Sequence, residues 1–300
     1  MLWKSVISFS LVFLVILLLV FYIFFPTSKF EIENPENSNF SLGINSGNMQ
    51  FYENMRYSNS RISYKIEKCA LQKENDMRNA FDILASRTAL SFYPVLFNEE
   101  ISVTCDDKEK IEGSMFIAGE GGPLNITKTS NFNVILKGKI LLIRESECPT
   151  PNIALHELLH SLGFVHSENP QNIMYRISRC NQTIGNDTID LIDTLYSYPT
   201  YPDLSFENVS AVMHGRYLDA EINIRNNGLI KSEKAKVIIS SGGSVINEFD
   251  LDSLDVGYGR SFVMKNIFVK KLSVDELEFT IDASFNELKK ENNKVILKIK

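Results

Sequence analysis

The stretch HELLHSLGFVH occupies residues 156–166 and holds three of the four histidines in the chain. His156 and His160 are four positions apart, so their imidazole rings lie one above the other on the same face of a helix. Two rings in that arrangement can bind one Zn²⁺ ion. Gly163 is predicted to end the helix and to turn the chain back, which brings in His166 as a third ligand. Three histidines leave a fourth position for water, as is typical of a catalytic zinc site.

The acidic residue inside this stretch predicts the chemistry. Glu157 follows His156 directly, near enough to hold a metal-bound water without binding the metal. A bare HExxH pattern occurs often by chance in amphipathic helices, whereas Gly163, His166 and Met174 at their fixed offsets argue against coincidence. Glu157 is therefore the predicted general base. Met174 is interpreted as a packed floor beneath the site rather than as a ligand.

Residues 156–166 fit the metzincin pattern HExxHxxGxxH, and residues 169–175, NPQNIMY, resemble the Met-turn of that family. Tyr175 directly follows Met174, which is similar to the matrixin branch. The resemblance covers about residues 55–198. It implies an α+β catalytic domain built from a twisted sheet and three helices.

The resemblance also implies an activity. Metzincins are zinc metalloproteases, so the chain is expected to be an endopeptidase that acts on protein or peptide substrates. His156, His160 and His166 would hold one catalytic Zn²⁺, whose activated water attacks the scissile carbonyl while Glu157 accepts the proton. Structural Ca²⁺ is also compatible with the resemblance, but the sequence assigns no ligands to it. No PRCGxPD-type cysteine switch is present, so latency of the matrixin type is not implied.

Apolar periodicity predicts the other elements of this domain. The strand candidates are residues 62–66 and 101–104, and residues 88–95 are predicted to form a turn that leads into a strand. The helix candidates are 77–85 and 187–196. Residues 133–136 and 139–143 are predicted to form a hairpin or two successive strands, with a loop at 119–123 before them. In the motif helix, Thr150 is the predicted N-cap and Pro151 the first helical residue.

The C-terminal third has the pattern of an all-β domain. Pro199 and Pro202 mark a linker over residues 199–204. Residues 205–300 contain about seven short strand candidates, which predicts an immunoglobulin-like (Ig-like) sandwich. The segment INIRNNG at 222–228 and the Asn-rich stretch at 286–293 resemble the cell-adhesion-related bacterial domain.

The N-terminus predicts the compartment. Residues 5–28 contain no charge, and the apolar part at 6–25 is long enough to cross a hydrocarbon core of roughly 30 Å. Trp3 and Lys4 at its start favour a cytoplasmic N-terminus. A cleaved signal peptide is the alternative, but the apolar run is too long for one and lacks a small-residue cleavage site. The sequence therefore predicts a single-pass membrane anchor at 1–28, a flexible stalk at 29–54 and an extracytoplasmic catalytic domain.

Composition and cysteines add two constraints. The net charge of −6 argues against a nucleic-acid partner. Outside the cytoplasm disulfides become favourable, and of the three possible pairings the sequence neighbours Cys69–Cys105 and Cys148–Cys180 are preferred. Four free thiols are the alternative that an external location disfavours. The fourth histidine, His214, lies in the C-terminal domain and has no predicted role.

A second class of function competes with the endopeptidase. The chain could be a surface adhesion or binding protein in which the sandwich acts and the zinc site is inactive or structural. A structural zinc site usually has four protein ligands, and only three are visible here. The sequence therefore favours the enzyme.

Overall fold

The computed structural model describes residues 37–43, 47–108, 110–113, 115–270 and 273–299. The predicted membrane anchor at 1–28 and residues 29–36 of the predicted stalk lie outside the described residues. Within the described ranges, no helix is both long and apolar enough to span a bilayer.

In the described part of the first domain there are eight strands and three helices, as expected for the α+β class. Its elements in chain order are β1 (Met55–Tyr57), β2 (Arg61–Glu67), α1 (Leu71–Arg87), β3 (Ser91–Pro94), β4 (Ile101–Cys105), β5 (Lys110–Glu112), β6 (Met115–Ile117), β7 (Gly119–Lys128), β8 (Asn133–Leu142), α2 (Asn152–Ser161) and α3 (Asn186–Ser197).

Six of these strands form the main sheet. Strand β8 pairs with β1 and β4 in parallel, and β2 joins β4 to β3, also in parallel. Strand β7 runs antiparallel to β8 and pairs with no other strand in the described part of the chain. Helices α1 and α2 pack on the sheet around one apolar core. The edge formed by β7 therefore stays open for a further strand.

Two sequence expectations about this sheet are wrong. The segments 133–136 and 139–143 are not a hairpin or two strands, because β8 runs continuously from Asn133 to Leu142. Gly138, where the sequence predicts the break between the two segments, pairs with Ile101 of β4 on one side and with Pro123 of β7 on the other. Pairing on both sides keeps the backbone extended at this residue. The expected loop at 119–123 is likewise the first half of β7.

Residues 37–43 and 47–54 are packed against the domain where the sequence predicts a flexible stalk. The Asn169 side chain donates hydrogen bonds of 2.7 Å to the carbonyls of Asn37 and Asn39. The Phe40 N–H donates to the Asp187 carboxylate at 2.6 Å. Backbone groups of this segment are therefore bonded to side chains of the domain, so the segment does not form a solvated coil.

Both preferred disulfide pairings are confirmed. Cys69–Cys105 links the chain after β2 to the end of β4. Cys148–Cys180 links the segment before α2 to the segment after Met174. No free cysteine remains.

The second domain is a sandwich, with seven strands among its described residues. They are β9 (Leu204–His214), β10 (Tyr217–Asn226), β11 (Ala235–Ser241), β12 (Ser244–Leu251), β13 (Gly259–Phe268), β14 (Glu276–Asp282) and β15 (Lys294–Lys298). One sheet has the order β13-β10-β9 and the other β12-β11-β14-β15. Alternate residues of β10, such as Leu218, Ile222 and Ile224, are buried between the sheets. The Ig-like architecture expected from the strand pattern is present.

The two domains share a small apolar cluster and several polar contacts. Phe132 and Val134, at the start of β8, pack against Leu229 and Val256 of the sandwich. The Arg225 guanidinium donates to the carbonyl of Lys128 at 2.9 Å. In the same place, the Ser130 N–H donates to the Asn227 side chain at 3.2 Å. The sandwich thus holds the turn between β7 and β8, which we call the junction turn (residues 129–132).

Candidate metal centre

Helix α2 fixes the motif because its apolar face is buried. Leu155, Leu158 and Leu159 are all at most 4% exposed in the core between sheet and helices. The helix begins at Asn152 with Pro151 at the N-cap and no side-chain cap, so the prediction of a Thr150 cap is wrong. The Thr150 hydroxyl instead hydrogen-bonds the Asn152 side chain, whose amide donates to the carbonyl of Arg179.

The helix ends where the sequence predicts. Gly163 has φ of +94°, a left-handed conformation that a residue with a Cβ rarely adopts. The Phe164 N–H then donates to the carbonyl of Leu159, as in a Schellman turn. This turn reverses the chain and brings His166 back beside α2.

Three histidine rings converge at this point. One ring nitrogen from each of His156, His160 and His166 lies within 4.8 Å of the others. The Nε2 atoms of His160 and His166 are 3.2 Å apart, close to the roughly 3.3 Å between two nitrogens that share a tetrahedral zinc at about 2.0–2.1 Å. The predicted ligands are therefore together, and the described residues contain no other group of three or more His, Cys, Asp or Glu side chains with this spacing.

Backbone carbonyls orient two of the rings. Nδ1 of His156 lies 2.7 Å from the carbonyl of Ile173, and Nδ1 of His160 lies 2.7 Å from the carbonyl of Phe164. Only a protonated Nδ1 can donate to a carbonyl, so the Nε2 lone pair of each ring is free to bind a metal. This donor set, three neutral imidazoles with two of them fixed by outer hydrogen bonds, fits Zn²⁺.

Met174 contributes through the loop that carries it. Its side chain is fully buried in the core, which agrees with the predicted packing role. The Met174 N–H donates to the Asn172 side chain, and its carbonyl accepts from the Ser167 N–H. The residue before it, Ile173, supplies the carbonyl that holds His156. The loop therefore acts on the site by positioning a ligand.

Strand β7 crosses directly over Glu157. A Cβ added to Gly121 would lie 2.3 Å from the backbone oxygen of Glu157, so only glycine permits this approach. The Gly121 N–H hydrogen-bonds the Glu157 carboxylate. The carboxyl is consequently only 5% exposed, between the histidine group and the free edge of the sheet.

Burial dominates the electrostatics of the site. It lowers the pKa of His156, His160 and His166 to about 4, with neighbouring charged rings adding to the effect. Burial also raises the pKa of Glu157 to about 8, assisted by the negative charge of Glu120 and opposed by the Gly121 hydrogen bond. At neutral pH the imidazoles are thus unprotonated and available to a metal, and Glu157 titrates near physiological pH.

Sequence reasoning missed β7. The glycines and Pro123 predict a loop at 119–123, although glycines at the alternate positions 119 and 121 are also typical of a strand that another backbone approaches closely. His214, which had no predicted role, is exposed and lies 3.7 Å from Asp219 in the sandwich. The predicted calcium stays without assigned ligands.

Gly121→Ala is expected to destabilise the chain by about 1–3 kcal/mol and to lower activity, because the new methyl group pushes β7 away from α2. Gly122→Ala is the matched control, since nothing lies within 4 Å of a Cβ there. Urea denaturation and peptide cleavage of both variants measure the difference. Equal stability of the two variants would contradict the close approach.

The metal-free chain is expected to be most stable near pH 6.5. The folded histidines have a pKa of about 4 against an ordinary 6.5, so the unfolded chain binds more protons between these values. Their stabilising contribution is present above pH 6.5 and is lost as the pH falls towards 4. Glu157, with its pKa raised from 4.5 to about 8, favours the folded state below pH 4.5 and loses this contribution as the pH rises to 8.

Urea denaturation of the chelated chain across this pH range checks the profile. Below pH 6.5 the three histidines change the free energy of unfolding more than the single carboxyl does, so stability rises with pH. Above pH 6.5 only the carboxyl still titrates, so stability falls. Glu157→Gln should therefore abolish the decline on the alkaline side and keep the decline on the acid side. A flat profile in the parent chain would contradict the assigned burial.

Residues 52–197 match the family model of Matrixin, the M10 peptidases, which supports a metalloprotease. Among solved structures, Myroilysin aligns with 48% of this chain and 83% of its own, at 11% identity and a TM-score of 0.31. The CARDB domain of the PF1109 protein from Pyrococcus furiosus, solved in complex with di-metal ions, aligns with 33% of this chain and 87% of its own, at 18% identity and a TM-score of 0.28. Comparison with curated proteins gives no match.

Proposed function

Because residues 52–197 form a matrixin-like domain around three convergent histidines, we propose that the chain is a zinc-dependent endopeptidase. One observation carries the proposal. The nitrogens of His156, His160 and His166 converge next to helix α2, and the same helix carries the buried Glu157, which β7 crosses at Gly121. A hydrolytic site needs metal ligands, a proton acceptor and a place for the substrate backbone, and these three parts lie together here.

His156, His160 and His166 would hold the zinc ion. When bound, zinc lowers the pKa of a coordinated water and polarises the scissile carbonyl. The carbonyls of Ile173 and Phe164 keep two of the rings in the tautomer that presents Nε2. Because three protein side chains would hold the ion, it would remain accessible to water and substrate.

Glu157 is assigned the proton transfers. Its carboxylate accepts a proton as water attacks the carbonyl carbon, and it then delivers that proton to the leaving amine nitrogen. In the metal-free chain, burial and the negative charge of Glu120 raise the pKa of Glu157 to about 8. A bound zinc ion would lower this pKa, because it would favour the charged carboxylate, which is the form that accepts the proton. The Gly121 N–H fixes the orientation of the carboxylate without neutralising it.

The substrate would be an extended polypeptide that pairs with β7. Among the described residues this strand has one partner strand, β8, so the backbone along its second edge, apart from the groups at Gly121 and Lys128 that other side chains bind, is available for a further strand. The edge passes above Glu157 at Gly121, which places a paired backbone over the proton acceptor. A substrate that adds as a strand would be recognised through its main-chain N–H and C=O groups.

The apolar run at residues 6–25 supports a further part of the proposal, a single-pass membrane anchor. Under it, the N-terminus is cytoplasmic and the endopeptidase acts outside the cytoplasm. The two disulfides agree with that location. Its substrates would then be proteins outside the cytoplasm.

Removal of the metal tests the activity. A zinc chelator is expected to abolish cleavage of an unstructured protein and to lower the melting temperature, because a bound ligand stabilises the folded state. The non-chelating isomer of the same compound is the control. Re-addition of Zn²⁺, but not of Ca²⁺ alone, should restore cleavage. Zinc bound without any cleavage would favour the adhesion or binding protein instead.

A further inference from the structure

A cavity of about 930 Å³ lies at the junction of the two domains. Its walls come from the loop before β1, the end of β7, the junction turn, the segment after α3 and the sandwich residues Leu288 and Lys289. This volume is near the upper end of the roughly 300–1,000 Å³ range of ligand sites. The endopeptidase chemistry described above uses none of it.

Two elements connect this cavity to the metal centre. Strand β7 crosses Glu157 at Gly121 and ends at the cavity, where Ile126 and Lys128 line the wall. On the other side, the Phe51 ring stacks on His160 with centroids 6.2 Å apart. The next residue, Tyr52, lines the cavity. A chain that leaves the metal centre along β7 therefore reaches the cavity.

We propose that this cavity, here called the junction groove, is an extended substrate-binding site for the part of the polypeptide about seven residues from the scissile bond. The proposal rests on the proposed endopeptidase function. A chain that runs along β7 advances about 3.3 Å per residue, so the seven steps from Gly121 to Lys128 span about 23 Å. Main-chain pairing stops before Lys128, because Arg225 of the sandwich binds the carbonyl of that residue. Under this proposal, both the catalytic domain and the sandwich contact the substrate.

The lining residues define the class of segment. Lys128 and Lys289 line the groove together with one acidic residue, Glu53. Asp203, outside the lining, also interacts with the charge of Lys289. Among the described residues neither lysine takes part in a salt bridge. Tyr52 and Tyr198 are 58% and 51% exposed, and they offer an apolar ring with a polar tip. These groups suit an acidic peptide segment.

The groove is held open by the contacts across the junction. Arg225 binds the carbonyl of Lys128 and the carbonyl of Gly257, so β7 is fixed to the sandwich where it enters the groove. Phe132 packs edge-on against Tyr198 with centroids 5.4 Å apart. A site formed before binding spares the substrate the cost of ordering its walls.

Peptide extension tests the proposal on the full chain. A fluorogenic core peptide is compared with the same core extended by seven residues, rich either in Asp and Glu or in Lys. The acidic extension is expected to raise kcat/KM by about tenfold over the core, and the lysine extension is not. Extension at the N-terminus reports antiparallel pairing with β7, extension at the C-terminus reports parallel pairing, and a gain at either end supports the groove.

Charge reversal supplies the matched variants. Lys128→Glu and Lys289→Glu are each expected to remove about threefold to tenfold of the gain from the acidic extension, while cleavage of the core stays unchanged. Lys265→Glu, at an exposed lysine on β13, is the control and should keep the full gain. If core and acidic peptides are cleaved equally, or if reversal has no effect, the groove is not a substrate site.

A binding measurement separates the two proposals. Fluorescence anisotropy of the labelled acidic peptide with the Glu157→Gln chain reports binding without turnover. Tighter binding than the core peptide, weakened by Lys289→Glu, supports the groove even if no peptide is cleaved. Equal affinity for core and extended peptides overturns the groove and leaves the endopeptidase intact where the core is cleaved.

Discussion

Glu157→Gln is expected to lower kcat/KM for peptide cleavage by about 10²–10⁴-fold while the chain keeps its zinc. The amide retains the shape of the carboxyl and can still face the Gly121 N–H, but it cannot accept a proton from water. Folding should be preserved, since a neutral group replaces a carboxyl whose pKa is raised to about 8 by burial. Single-turnover cleavage and zinc content of the purified chain measure the two properties.

Glu168→Gln is a suitable control for this experiment. Glu168 is two residues from His166, and its backbone N–H, not its carboxylate, bonds the carbonyl of Ser41. This variant should cleave peptides at the parental rate. Full activity in Glu157→Gln with zinc bound would remove the assigned proton acceptor, and loss of zinc in that variant would show a structural role instead.

The double variant Cys148→Ser, Cys180→Ser is expected to lose about 3–4 kcal/mol of stability. The disulfide closes a loop with a sequence separation of 32, and the chain-entropy relation gives about 3.7 kcal/mol for that length at 25 °C. The loop contains α2 and the segment with Ile173 and Met174, so the loss falls on the elements that position the histidines. Urea denaturation under oxidising conditions measures it.

The other disulfide provides the matched comparison. Cys69→Ser with Cys105→Ser opens a loop of similar separation, 36, on strands β2 and β4 away from the histidines. Both double variants should lose similar stability, but only the Cys148 and Cys180 pair should weaken zinc affinity as well. Equal zinc affinity in both would mean that the disulfide stabilises the chain without positioning the ligands.

The metal centre was predictable because its determinants are local. One helical turn brings His156 and His160 together, and the chain reversal at Gly163 places His166 beside them. The disulfide pairing also followed from sequence proximity. In each case the separation along the chain is short enough for the spacing to restrict the geometry.

The substrate side of the site was not predictable in this way. Strand β7 exists because it pairs with β8 and passes over Glu157. The alternate glycines 119 and 121 indicate a close backbone approach, but they do not identify β8 or Glu157 as the partners. The docking of residues 37–43 likewise depends on Asn169, which is more than 120 positions away. Long-range pairing decided these elements against their local glycine, proline and asparagine content.

The contacts between the sandwich and the junction turn affect how the chain unfolds. Phe132, Val134, Leu229 and Val256 form one apolar cluster with residues from both domains, so melting of either domain exposes part of the other. Such coupling makes unfolding cooperative, so the sandwich contributes to the free energy of unfolding of the catalytic sheet. Destabilisation of the sandwich would therefore lower the stability of the catalytic domain, and with it that of the metal centre.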